Sequence, residues 1–236
     1  MISTSPTTSG SSPTVVLVHG AWFGAFCWEP LMSALDGDNC RALAVELRGS
    51  GSRWAENGPD VTLADHIADV VSAIHENDLR SVVLVGHSYG GRVITGVIDQ
   101  IPERISRAVY IDAHAPVLDD PGPSAARRAV AEEHDQMLPF DGVRLDAELV
   151  GGEDELERVR SMLVDHSFAT LTAEWRHDLP AGLSRTYVHA LGPDGEPFRR
   201  YADACRADSR WEYIEIDGPH MLIYSHPEQL ADIICR

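Results

Sequence analysis

Short apolar runs alternate along the chain with longer segments in which apolar residues recur every three or four positions. The runs cover residues 14–18, 41–47, 82–85, 105–111, 185–191 and 211–216, are rich in β-branched side chains, and predict six strands. The spaced segments predict helices. Trp28, Leu31, Met32 and Leu35 share one face, as do Leu63, Ile67, Val70, Val71 and Ile74, and further helices are expected from Gly91, over 198–207 and over 227–234. Thr62, with Asp65 three residues on, starts the second of these helices. His66 and His75 fall off its apolar face and are expected in solvent. Strands alternating with helices imply a mostly parallel sheet covered by helices on both faces.

The alternation stops between residues 117 and 183. Pro121, Gly122 and Pro123 break the chain, and the segments 124–136 and 153–163 look helical and charged. This stretch reads as a small helical cap inserted into the core. The expected organisation is a disordered Ser/Thr/Pro/Gly tail at 1–13, a core at 14–116, the cap at 117–183 and the rest of the core at 184–236. The tail lacks the basic and apolar regions of a signal peptide, and no apolar run approaches the ~20 residues of a membrane span. A cytoplasmic location is the expectation.

Charge and composition narrow the chemistry. The formal net charge of −18 over 236 residues disfavours nucleic acid and anionic membranes as partners and offers no clear site for a highly anionic substrate. All 19 basic residues are arginine, which excludes Schiff-base lysines, pyridoxal attachment and a phosphate-loop lysine. The four cysteines, Cys27, Cys40, Cys205 and Cys235, form no metal-binding spacing and read as reduced apolar residues. No metal or other cofactor is called for.

One stretch carries chemistry. Val82–Val85 is followed by Gly86-His87-Ser88-Tyr89-Gly90 and then by a helical pattern. A serine flanked by glycines two residues either side, between strand and helix, is a nucleophile elbow. The turn is so tight that its flanking residues must be small, and it raises the Ser88 hydroxyl above the sheet. The Tyr89 N–H then points where an oxyanion would form. His220, just past the last predicted strand, is the candidate base, since imidazole titrates near neutral pH. His19 and His87 read as structural hydrogen-bonding groups, and His114 more as a structural residue than a substrate contact.

The segments 16–28 (VLVHGAWFGAFCW), 86–91 (GHSYGG), 168–172 (FATLT) and 218–234 (GPHMLIYSHPEQLADII) together resemble the α/β-hydrolase superfamily. Within it they are similar to the group containing plant methyl-ester hydrolases, hydroxynitrile lyases and their short bacterial relatives. The resemblance implies an α/β-hydrolase fold, Ser88 as nucleophile, His220 as base, and the Ala21 N–H as second oxyanion donor beside that of Tyr89. Two carboxylates qualify as triad acid. Asp112 ends the strand after the nucleophile helix and is favoured; Asp194, after the strand that follows the cap, is the alternative.

The resemblance also bears on the reaction. Hydroxynitrile lyases of the group carry Thr where this chain has Gly20 and Lys where it has Met221, so hydrolysis is the implied chemistry. The substrate expected is a small, largely apolar ester, lactone or thioester, in a pocket formed by Trp22, Phe23 and Met221. A homodimer is compatible with this reading. The alternative is a non-hydrolytic use of the fold, as a ligand receptor, cofactor-free cyclase or oxygenase, or C–C lyase.

Overall fold

Strands form where β-branched runs are bounded by turn residues, and helices where the apolar period lengthens. In the computed structural model, which describes residues 14–37, 40–119, 122–140, 143–173, 175 and 178–236, β1 (Val15–Val18) leads through a 3-10 turn (Ala25–Trp28) to α1 (Glu29–Gly37) and β2 (Ala42–Val45). α2 (Leu63–Glu76), β3 (Val82–His87), α3 (Gly90–Gln100) and β4 (Ile105–Ile111) follow. Between β4 and the next core strand lie α4 (Ala125–Glu133), β5 (Met137–Leu138), α5 (Ala147–Val150), α6 (Glu153–Met162), β6 (His166–Ser167) and α7 (Ala169–Thr172). The chain closes with β7 (Ser184–Ala190), α8 (Arg199–Ala207), β8 (Glu212–Ile216), α9 (Leu222–Ser225) and α10 (Pro227–Ile234). The expected tail, residues 1–13, lies outside the described residues.

The six core strands form one sheet in the order β2-β1-β3-β4-β7-β8, and every neighbouring pair is parallel. β3, the nucleophile strand, is buried at all six positions. Successive side chains alternate between faces, so helices must cover both. Burying each of Val82, Val83, Leu84 and Val85 stabilises the fold by about 1.5–3 kcal/mol. α2 begins as expected: the Thr62 hydroxyl accepts the Asp65 N–H at 3.3 Å, and the Asp65 carboxylate accepts the Thr62 N–H at 2.9 Å.

The regular structure between β4 and β7 is mainly helical, and within it β5 and β6 pair as a short antiparallel ribbon, Met137 with Ser167 and Leu138 with His166. Two-residue strands carry no readable period. Cys40 and Cys235 are not reduced but joined in a disulfide, with Cα atoms 6.5 Å apart. Cys40 precedes β2 and Cys235 follows α10; only the fold brings positions 195 residues apart together. Cys27 and Cys205 are buried free thiols. His66 is not in solvent but 2% exposed, because α2 packs against α3 and the elbow. His75 is exposed, as expected. Among the described residues, no helix is long and apolar enough to cross a membrane.

Candidate active site

β3 ends in a turn that explains its glycines. Ser88 lies at φ +56°, the left-handed region that non-glycine residues rarely adopt. A Cβ at Gly86 would stand 2.7 Å from the carbonyl oxygen of Gly90, so the turn closes only around glycine. The Ser88 N–H donates to the Ile111 carbonyl at 3.2 Å, and the Ser88 carbonyl accepts from the N–H groups of Gly91 (3.2 Å) and His114 (3.1 Å). The strained serine is therefore bonded both to its own helix and to the end of β4.

The end of β4 also supplies Asp112, itself at φ +39° and fully buried. Its Oδ2 lies 2.6 Å from His220 Nδ1, and its Oδ1 accepts the Ala190 N–H at 3.3 Å. His220 follows β8 and is held on every side. Its ring stacks on Phe198 (centroids 4.8 Å, 2° between planes), its N–H donates to Asp194 Oδ1 at 3.0 Å, and its carbonyl is hydrogen-bonded to His87 Nε2 at 3.0 Å. Of the two candidate acids, then, Asp112 meets the imidazole and Asp194 meets the main chain beside it. Burial, the larger effect, pushes the His220 imidazole down, and the charge of Asp194 partly opposes it. Burial likewise pushes the Asp112 carboxyl up, against the pull of the Ala190 N–H.

A cavity of about 210 Å³ opens on this group. Ser88, His220, Ala21, Tyr89 and Trp22 all line it, with Asp194, His114, Arg127, Val143, Leu171, Pro197 and Phe198. The structure thus brings the candidate nucleophile, base and both candidate oxyanion residues to one space. It places Phe23 and Met221 elsewhere. Both are buried in the core, Phe23 edge-on to Phe140, and neither lines the cavity. Trp22–Phe23 and His220–Met221 lie in loops, where standing beside a lining residue does not put a side chain in the same space. His19 and His87 are bonded to main-chain carbonyls, of Gly20 and His220, as their structural reading requires.

Several lining residues escaped the sequence reading. Phe198, Val143 and Pro197 sit in segments with no motif; only Leu171 lay within the quoted FATLT stretch. A second cavity of about 300 Å³ shares His114, Arg127, Leu171 and Pro197 with the first and adds Arg92 and Arg200. Arginines therefore gather beside the site despite the acidic composition, a clustering invisible in a net charge.

The model of the alpha/beta hydrolase family matches residues 15–233. The carbendazim hydrolyzing esterase of Nocardioides sp. (strain SG-4G) is 33% identical over 238 residues, 92% of this chain and 96% of that protein. Methylesterase 10 of Arabidopsis thaliana is 31% identical over 156 residues, 65% of this chain and 54% of that protein. Among solved structures, an extracellular alpha/beta-hydrolase from a Paenibacillus species superposes with a TM-score of 0.73 at 24% identity, covering 94% of this chain and 97% of that one. At that identity the likeness speaks for the fold.

Proposed function

The chain belongs to the alpha/beta hydrolase family and is a carboxylic ester hydrolase; from that premise we propose that it cleaves a small, largely apolar ester, lactone or thioester through an acyl-enzyme on Ser88. The observation that supports this most is the convergence on one cavity of a strained serine, a buried histidine bonded to a buried aspartate, and two loop residues at strand ends.

The chemistry follows from the arrangement. A serine hydroxyl is a weak nucleophile until a base takes its proton. His220, kept neutral by burial, accepts that proton as Ser88 Oγ attacks the ester carbonyl. Asp112 holds the imidazole through Nδ1, fixing the tautomer and stabilising the imidazolium that forms. The N–H groups of Ala21 and Tyr89 receive the oxyanion; each such donor is worth about 2.7–4 kcal/mol in related sites. The imidazolium then protonates the leaving alcohol, and water reverses the sequence on the acyl-enzyme.

The cavity's size favours a small substrate, since pockets for drug-sized ligands measure roughly 300–1,000 Å³. Trp22, Val143, Leu171 and Phe198 give it apolar walls. Carbendazim, named for the Nocardioides relative, is a natural first substrate to try beside p-nitrophenyl acetate and butyrate. The test is a pre-steady-state assay of wild type and Ser88→Ala. A burst of one p-nitrophenolate per chain followed by turnover, lost in the variant, is expected. A folded wild type with neither burst nor turnover would discard the acyl-enzyme and favour the receptor-like use of the fold.

A further inference from the structure

Trp22 departs from what a pocket wall requires. Its backbone sits at φ +68°, a conformation that a bulky side chain adopts only when its surroundings impose it. Two hydrogen bonds impose it, and both come from the segment between β4 and β7. The indole Nε1–H donates to the Leu138 carbonyl at 2.7 Å, and the Trp22 carbonyl accepts the Val164 N–H at 3.1 Å. Leu138 lies in β5 and Val164 just before β6, so the bonds come from the two arms of the antiparallel ribbon. Trp22 directly follows Ala21.

The same ribbon reaches Tyr89. The His166 ring, on β6, stands edge-on to the Tyr89 ring (centroids 4.7 Å) and 6.2 Å from the Trp22 ring. Its own orientation is fixed. The Thr170 hydroxyl spends its hydrogen on the Ser167 carbonyl at 2.7 Å, so it accepts from His166 Nε2–H, also at 2.7 Å. On its far side Tyr89 is held by His66. His66 Nε2–H donates to the Arg48 carbonyl at 3.0 Å, which leaves Nδ1 to accept the Tyr89 O–H at 2.9 Å. All three rings are buried. Neither His66 nor His166 has any part in the proton transfers derived above.

We propose that the β5–β6 ribbon sets the separation of the two oxyanion donors, with Trp22 as the positioning residue that transmits it. The ribbon grips the residue beside one donor by hydrogen bonds and packs against the side chain of the other. This inference rests on the reading of the Ala21 and Tyr89 N–H groups as the oxyanion hole. Displacing such a donor by about an ångström lowers the rate roughly 100-fold, whereas ground-state binding depends little on it.

Trp22→Phe keeps an aromatic ring, smaller than the indole, and removes the Nε1–H. It is assayed with p-nitrophenyl butyrate, with an alkyl trifluoromethyl ketone whose serine adduct carries an oxyanion, and with butyrate as product. The expected result is a 10- to 100-fold fall in kcat, trifluoromethyl ketone affinity weakened in step with kcat/KM, and a clearly smaller change in KM and butyrate affinity, since Trp22 also walls the cavity. A folded variant with wild-type kcat and inhibitor affinity overturns the proposal, and so does a loss confined to KM and butyrate binding. Should Trp22→Phe not fold, His166→Ala, which removes the ribbon's ring from the Tyr89 ring, is read by the same ratios, and unchanged inhibitor affinity again overturns the proposal. Turnover that survives Ser88→Ala would instead bring down the acyl-enzyme reading itself.

Discussion

Asp112 Oδ2 lies 2.6 Å from His220 Nδ1, although 108 residues separate the two in sequence. The contact exists because β4, which ends just before Asp112, neighbours β7, and β7 neighbours β8, which ends a few residues before His220. Ser88 and Ala21 follow the ends of β3 and β1, the next strands in the sheet. In a parallel sheet all strand ends of one kind share one edge, so residues scattered over the chain meet there.

That contact makes the identity of the acid testable. Asp112→Asn keeps the shape but no longer favours the imidazolium or the required tautomer, and kcat should fall by about 10⁴-fold. Asp194→Asn keeps an oxygen to accept the His220 N–H and should lower kcat less than about tenfold. Steady-state kinetics on the two variants decide; the reverse pattern would reassign the acid to Asp194.

Activity should tolerate mild acid. Only neutral His220 can take the proton of Ser88, and burial holds its imidazole below the ordinary 6.5. The acid limb of kcat/KM should therefore lie below pH 6.5. A limb centred at or above pH 6.5 would rule out a buried neutral base.

Stability should fall sooner than activity as pH drops. Burial lowers His66 to about 4, so between there and 6.5 the unfolded chain binds a proton that the folded protein refuses. Unfolding free energy then rises with pH across that window, and the contribution lost by pH 4 is on the order of 3 kcal/mol. His87 and His166, also pushed down by burial, act in the same direction. Thermal melts at pH 8 and 5 should show a drop in Tm, and His66→Gln should show a smaller one; an equal drop in the variant would remove His66 from the account.

The Cys40–Cys235 bridge closes a loop of 195 residues. A cross-link of that span stabilises by up to about 5 kcal/mol through the entropy of the unfolded chain. Alkylation of unreduced, unfolded protein should label two thiols, Cys27 and Cys205, and four after reduction. Reduction should lower Tm, and Cys40→Ser/Cys235→Ser should melt at the lower temperature with or without reductant. Four reactive thiols before reduction would exclude the bridge, and would restore the reduced cysteines expected of a cytoplasmic protein.

Local rules made much of this protein legible from its residues. The β-branched runs announced six strands, the apolar spacing announced α2 with its Thr62 cap, and Gly86-His87-Ser88-Tyr89-Gly90 announced the elbow, because a turn that tight accepts glycine at Gly86 and almost nothing else. These features depend on steric and hydrogen-bonding demands within a few residues. Tertiary structure alone decided the rest. Which carboxylate meets the His220 ring and which meets its N–H is set by strand order; the sequence favoured Asp112 but kept Asp194 as an alternative, because both follow predicted strands. The burial of His66, the pairing of Cys40 with Cys235 and the hold of the β5–β6 ribbon on Trp22 likewise arise from contacts between distant segments. Periodicity reports which face of an element is apolar; it carries no information about what that face, or a polar residue beside it, will meet.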